Sequence, residues 1–594
     1  MLRITRIRTA AVITAAWLAV GCSGAGAQGG VVEAFVPDAV YHNAKVVTVN
    51  QNFEIAQAVA IRDGRFVAVG SNQEVLALAG RSTQVVDLGG RTVVPGFYDN
   101  HIHLGAELQE WEGGLVGAVE PWIRDAKTVE QLQAVLRRKA EETLRGQWIQ
   151  AGLTREEWPN QRIPTRWQLD EATPNNPLAL RRGPHTAVLN SRALEVVGID
   201  RNTPNPDGGW IIKDARGEPT GLLLEAARRV LAPHLPAAAR PGAEATLQTY
   251  RRQLRGLLSL GLTSVNVAGM GASGMRLLQE LYERYGEELP RMTVQLRLAP
   301  GWNEYDDPDE GARAAIAELE GLGFRTGYGT DRLRIGAIKM NADGGLSSPV
   351  YWSTQPYKGR PDFYGRPIIH ERALYAVSKR AHELGWQIGV HTIGDAAAAQ
   401  MVDIYARILD ELPRNDHRHY LHHFTVLPPE ETLRKMQKYD ILVAQHPSWL
   451  WALGGFLVES LDGERLQRAA PTASLLKRGI KVSFGSDQLP YGPLFNIWAA
   501  VTRQGWPDGK TVYGLKAEGI TVQEALRLHT LGTAYLTFDE EEKGSIEAGK
   551  LADLAVLGED LLTVDADRIR LIPVERTVVG GLEGYARGKA AATR

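Results

Sequence analysis

Eight short apolar runs separated by helix-length stretches constrain this chain more than any other feature. The first begins at 92–94 and leads into Asp99-Asn100-His101-Ile102-His103. The others are 263–267, 292–298, 333–340, 387–391, 417–424, 441–445 and 481–484. Amphipathic segments such as 371–384 and 396–412 lie between several of them. Strand and helix alternating to that count predict a (β/α)8 TIM barrel, an α/β fold. The region of about 105–261 breaks the rhythm. Its tryptophans, prolines and asparagines (Trp158, Trp167, Pro174-Asn175-Asn176-Pro177, Pro204-Asn205-Pro206) predict a large insertion after the first strand, seated over the barrel top.

Both chain ends read as β structure. The runs 44–49, 58–61, 66–69 and 85–88 are rich in β-branched residues, and Asp63-Gly64 is a hairpin signal between two of them. At the far end 544–557 reads as turn then strand, and 576–579 as another strand. Segments at opposite ends commonly pair, so 28–94 and 539–594 are expected to form one flanking β-sandwich, with 95–538 as the barrel between them. A length of 594 residues accommodates such an arrangement.

Arg3, Arg6 and Arg8 precede an apolar run at 9–20 that is too short to span a bilayer. Residues 1–27 therefore read as an export signal, giving a periplasmic, membrane-anchored or secreted protein. Ala25-Gly26-Ala27 offers a small-x-small cleavage site, whereas Ala19-Val20-Gly21-Cys22 resembles a bacterial lipoprotein box. Cys22 is the only cysteine and stands at the end of the apolar run, which favours lipidation there. A net charge of −2 without a basic block argues against a nucleic-acid partner. With no thiol in the mature chain, any catalytic group or metal ligand must be oxygen or nitrogen.

Polar residues collect at the C-terminal ends of the strands, where barrel enzymes build their sites. His101 and His103 close the first strand, and alternation puts both side chains on one face. Lys339 comes late in the fourth, His391 closes the fifth, His423 the sixth, and Asp487 follows the eighth in Gly485-Ser486-Asp487. Period-two parity sets Lys339 with Ala337 and Asp487 with Ser483 toward the interior, and sets His422 on the face opposite to His423. A lysine facing a barrel interior is costly unless paired or modified. Neutral imidazoles and carboxylates at one barrel end suit a divalent cation. Taken singly, each has a plainer explanation: His391 as a core histidine, Asp487 as a helix cap, Lys339 as the ion-pair partner of Asp343. Trp449 and Trp451 after Gln445-His446-Pro447 fit either pocket lining or packing.

Together these residues resemble the amidohydrolase superfamily, in the branch typified by N-substituted formamide deformylases. The resemblance spans nearly the whole mature chain. It rests on Pro95-Gly96-Phe97…His101-x-His103 and on Gly544-Ser545-Ile546…Gly549-Lys550-Leu551-Ala552-Asp553. Within the insertion it rests on His185…Asn190-Ser191-x-Ala193-Leu194, Pro206-Asp207-Gly208-Gly209 and Gly217-Glu218-Pro219-Thr220-Gly221. It implies a centre of two divalent ions, zinc first with manganese, iron or nickel as alternatives, bridged by Lys339 as a carbamate. His101, His103 and Asp487 would hold one ion, His391 and His423 the other, and His185 would bind substrate. Three departures stand out: Leu421-His422-His423 replaces Ile-Glu-His, Asp343-Gly344-Gly345-Leu346-Ser347 replaces Asp-Gly-Ser-Leu-Gly, and Gly152-Leu153-Thr154 replaces Gly-Trp-Asp.

The expected activity is hydrolysis of a non-peptide or N-acyl C–N bond in a small molecule. A bound metal lowers the pKa of water to roughly 7, and Asp487 would pass the proton to the leaving amine. The same centre would also serve an esterase, a lactonase or a deaminase. The reading from outside catalysis is a surface lipoprotein that only binds.

Overall fold

A computed structural model describes residues 36–589 apart from 112, 127, 154–162, 184, 207, 237–241, 301–306 and 348–349. Cys22, the export segment, Thr154, Trp158 and Asp207 lie outside the described residues.

Eight strands form one sheet in chain order: β1 (Phe97–Ile102), β2 (Leu262–Met270), β3 (Arg291–Arg297), β4 (Leu333–Asn341), β5 (Ile388–Thr392), β6 (Tyr420–His423), β7 (Leu442–Gln445) and β8 (Val482–Phe484). Every neighbouring pair is parallel. β8 meets β1 through shared hydrogen bonds. Asn100 Nδ2 donates to Ser483 Oγ at 2.9 Å, and Asp487 N donates to His101 O at 2.9 Å. The outcome is the TIM barrel expected from the sequence.

Alternation sorts the side chains. Ile338, Met340, Val390, Leu421, Val443 and Phe484 join the large core between strands and helices. Ala337, Tyr420, Leu442 and Ala444 fill the interior on the opposite face. The helices Glu371–Glu383 and Asp395–Glu411 cover the outside, burying Leu374 and Val377 from one and Met401, Tyr405 and Ile408 from the other. The helix Ala243–Leu258 sends Leu247, Leu254 and Leu257 into the same core. The crossover from β1 to β2 thus includes a barrel helix inside the stretch read from the sequence as insertion.

The chain ends pair as expected. Leu554–Leu557 runs antiparallel to Thr92–Pro95, with Val556 opposite Val93, inside a six-stranded sheet that also holds Lys45–Val47 and Val574–Val579. A four-stranded sheet built on Ala39–His42 and Ala58–Arg62 packs against it around Tyr41, Phe66, Val93 and Val578. In the same sheet Asp63 and Gly64 turn the hairpin between Ala58–Arg62 and Arg65–Gly70 with φ of 49° and 73°, the left-handed pair that matches the twist of antiparallel strands. The inserted region forms a five-stranded mixed sheet, from Ile149–Gly152 to Gly209–Lys213, with apolar clusters on both faces.

Candidate metal centre

At the C-terminal mouth of the barrel lies a cavity of about 510 Å³ lined by His101, His103, Lys339, His391, His423 and Asp487, and also by His185. The structure therefore brings together every site residue named from the sequence except Cys22.

β1 reaches the mouth through a bulge. Its pairing with β2 steps from Asp99↔Val265 to Ile102↔Val267, an extra residue on the β1 side. Asp99 anchors the bulge by accepting from His101 N at 2.9 Å and from both N and Oγ of Ser486. Asp487 follows directly with a φ of 47°, and its Oδ1 lies 3.2 Å from His103 Nε2 and 3.5 Å from His101 Nε2. The nearest downstream helix begins at Pro493 with Gly492 as its cap, so Asp487 is not a helix cap.

Lys339 is buried to 1% exposure, and its Nζ has no hydrogen-bond partner among the described residues. Its ion pair with Asp343 does not form. The Asp343 carboxylate is taken by the backbone N–H groups of Ile393, Gly394 and Trp352. Burial, reinforced by the Arg297 charge, holds the Lys339 amine well below its usual range. Burial likewise pushes His101, His391 and His423 well below 6.5, with the Lys339 charge contributing to each. These imidazoles are neutral and keep a lone pair to offer. The contact of His391 Nε2 with Gly344 O, at 3.4 Å, is too long to account for a ring held at this spot.

The parity assignment of His422 is overturned. Tyr420 and His422 face the barrel interior, and β6 ends in a left-handed backbone at His423 (φ 69°) and Phe424 (φ 46°). That break in alternation swings the His423 ring to 4.4 Å from the His391 ring. His422 Nδ1 sits 3.0 Å from His101 Nδ1, and its Nε2 sits 2.8 Å from Gln295 Oε1.

His446 was missed. Leu442 and Ala444 face inward, so the same alternation carries 446 to the mouth. Its ring lies 5.0 Å from that of His101 and 4.9 Å from that of His423, and both its nitrogens are buried without a partner among the described residues. Burial draws its pKa down to about 4. Trp449 stacks on His423 at 4.8 Å and lines the cavity, whereas Trp451 packs against Trp498 away from it.

His185 reaches the cavity from the inserted sheet. Its Nδ1 is 3.0 Å from Glu225 Oε2, and Glu225 Oε1 accepts from Gly345 N at 2.8 Å. Glu225 holds a φ of 49° while almost fully buried, a strained position fixed by these two contacts. Gly345, one of the departures noted above, lies under the His185 ring; a Cβ there would come within 2.7 Å of it.

Two sets of three donors converge within 4.8 Å, namely His101 with His103 and Asp487, and His101 with His423 and His446. Orphaned donor atoms on neutral histidines beside a carboxylate and an unpaired lysine fit a divalent cation.

The sequence pattern of the amidohydrolase family matches residues 84–583. The chain belongs to the amidohydrolase family. It is thereby a metal-dependent hydrolase acting on C–N bonds other than peptide bonds. This amidohydrolase is 30% identical over 576 residues to the N-substituted formamide deformylase of Arthrobacter pascens, covering 93% of this chain and 98% of that one. It is 26% identical over 563 residues to the amidohydrolase YtcJ of Bacillus subtilis, covering 92% and 99%. Among solved structures, a metal-dependent hydrolase of Pyrococcus horikoshii superposes with a TM-score of 0.62 at 22% identity, covering 89% of this chain and 99% of that one. That likeness concerns the fold.

Proposed function

We propose that the protein hydrolyses the C–N bond of a small N-acyl or formamide-type amide at this centre. The observation that carries the reading is Asp487 Oδ1 within 3.5 Å of both His101 and His103 in a cavity that also holds Lys339, whose Nζ has no partner among the described residues. His101, His103 and Asp487 would hold one divalent cation. His391, His423 and Lys339, the last as a carbamate, would hold a second, with His446 adding a nitrogen on that side. Zinc is proposed for both. A cation held there acts as a Lewis acid and lowers the pKa of water to roughly 7.

Asp487 takes the proton of the attacking water and returns it to the leaving amine, since its carboxylate faces the cavity at the strand end. His185, fixed through Nδ1 by Glu225, turns its other nitrogen toward the substrate carbonyl. Trp449 and Leu453 exclude water from the apolar side. The Arthrobacter pascens relative is named for N-substituted formamides, which makes formyl amides the first substrates to try.

Elemental analysis of the mature protein and of Lys339→Ala, with turnover of amides and matched esters, tests this. Two metals per chain that fall in the variant, with amides preferred, support it. Esters alone turned over would make the enzyme an esterase. Metal-loaded protein inert to every substrate would overturn it.

We also propose that the protein is exported and lipidated at Cys22, on the strength of the N-terminal sequence. Membrane association of the full-length protein, lost in Cys22→Ser, would support this; a soluble full-length protein would refute it.

A further inference from the structure

Arg297 ends β3 and pairs in register with Lys339 on β4. Parallel neighbours share a face, so its side chain points into the barrel mouth, where it lines the cavity. The guanidinium lies over Gly269, whose φ is 98°; a Cβ there would stand 2.9 Å from Arg297 Nε. The glycine thus keeps a berth open for this side chain. Among the described residues no carboxylate or carbonyl accepts a hydrogen bond from Arg297.

Arg228, from the inserted region, lines the same cavity, and its Nε is buried without a partner among the described residues. Glu225, the acidic group that acts on it, has both oxygens occupied by His185 and Gly345. Among the described residues the cavity wall carries two guanidinium groups, Arg228 and Arg297, and one carboxylate, Asp487.

Arg297 is half-buried, and burial alone pulls it below its ordinary range; a guanidinium placed so without an anion is costly. Such a group persists where a ligand brings the missing charge. The planar fork of arginine matches a carboxylate through two parallel hydrogen bonds. The remaining wall, with Trp449, Leu453 and Leu489, accepts an apolar or aromatic group. A volume of about 510 Å³ accommodates both parts.

We propose that Arg297, assisted by Arg228, selects amides that carry a carboxylate, so that the substrate is an N-acylated amino acid with an apolar side chain. The proposal rests on the C–N hydrolase reading above and departs from neutral formamides. Arg297 binds the carboxylate and places the amide beside Asp487; it moves no proton and takes part in no bond change.

The test uses a matched pair on the metal-loaded enzyme: N-formylphenylalanine and N-formylphenethylamine, which differ only by the carboxylate. The wild type should favour the acid in kcat/KM. In Arg297→Met that preference should fall roughly 10- to 100-fold, mainly through KM, because a charged hydrogen-bond pair is lost. Arg297→Lys, keeping charge without the fork, should fall between. Metal content is measured in each variant.

Equal turnover of both amides by wild type, or a parallel loss for both in Arg297→Met together with loss of metal, overturns the proposal while leaving the hydrolase reading intact. Should neither amide be turned over, the hydrolase reading fails instead, and calorimetry with 3-phenylpropanoate decides the anion site. Saturable binding lost in Arg297→Met supports it, and no binding to wild type overturns it.

Discussion

The Nδ1 atoms of His101 and His422 lie 3.0 Å apart in the buried barrel mouth, and one proton must lie between them. With Gln295 Oε1 accepting from His422 Nε2, His422 Nδ1 is left as acceptor and His101 Nδ1 as donor. The lone pair of His101 is then on Nε2, the atom that faces Asp487. His422 sets the tautomer of a ligand rather than serving as one.

Accordingly His422→Leu should weaken metal binding by about 10- to 100-fold while leaving the fold intact. Competition against a chelator, read by elemental analysis, measures the affinity. Gln295→Leu should move in the same direction by a smaller amount, because it disturbs the chain one step earlier.

His446→Ala should release metal from the His423 side first, since it removes one of three converging donors. Cobalt substitution offers the readout: the visible absorption of the loaded variant should shift to that of a centre with fewer nitrogens. An unchanged spectrum would place His446 outside the coordination sphere.

Gly345→Ala should raise KM more than it lowers kcat, because the added methyl forces the His185 ring off its Glu225 contact without touching Asp487. Glu225→Ala should do the same and in addition destabilise the fold by about 1–3 kcal/mol, as Gly345 N loses its acceptor. Steady-state kinetics and urea unfolding separate the two effects.

Below the barrel, His382, His417 and His419 form a buried neutral network in which every ring nitrogen is occupied. His382 Nε2 and His417 Nε2 donate to the carbonyls of Leu412 and Tyr439. His419 Nδ1 accepts from Ile388 N, and its Nε2 lies 2.9 Å from His382 Nδ1. Burial lowers all three pKa values, so below pH 6.5 the unfolded chain binds protons that the folded one refuses. Stability should be full above the ordinary histidine range near 6.5 and fall as pH drops beneath it. His417→Gln should flatten that dependence in urea titrations between pH 7.5 and 5.5.

Asp553 closes the motif Gly549-Lys550-Leu551-Ala552-Asp553, and the structure explains it as a clasp. Its two oxygens accept from Arg291 Nε at 2.8 Å and Nη2 at 3.1 Å, and Oδ1 also accepts from Gly580 N. Arg291 opens β3, so this buried pair ties the sandwich to the base of the barrel. Asp553→Ala should cost about 1–3 kcal/mol, because Arg291 loses two hydrogen bonds and keeps its ion pair with Asp331, with metal content preserved in the folded fraction. Thermal unfolding and elemental analysis check both statements.

The sequence by itself determined the barrel, the pairing of the chain ends and most of the centre. Strand alternation is a local, period-two property. It survives in the run of amino acids, and strand ends mark where a barrel gathers its polar groups. His101, His103, Lys339, His391 and Asp487 were legible for that reason. His446 was equally legible, had the alternation of Leu442 and Ala444 been carried two residues further. Tertiary structure alone decided the rest. The left-handed turn at His423 brings its ring into the mouth although His422 before it already faces the interior, and no residue pattern announces it. Glu225 and Arg228 reach the cavity only because the inserted sheet folds back over the barrel. Whether Arg297 meets a counter-charge depends on every chain segment that could approach it. Backbone reversals and partners distant in sequence are properties of the folded whole, which is why neither the support of His185 nor a guanidinium with no partner among the described residues can be read from the order of residues.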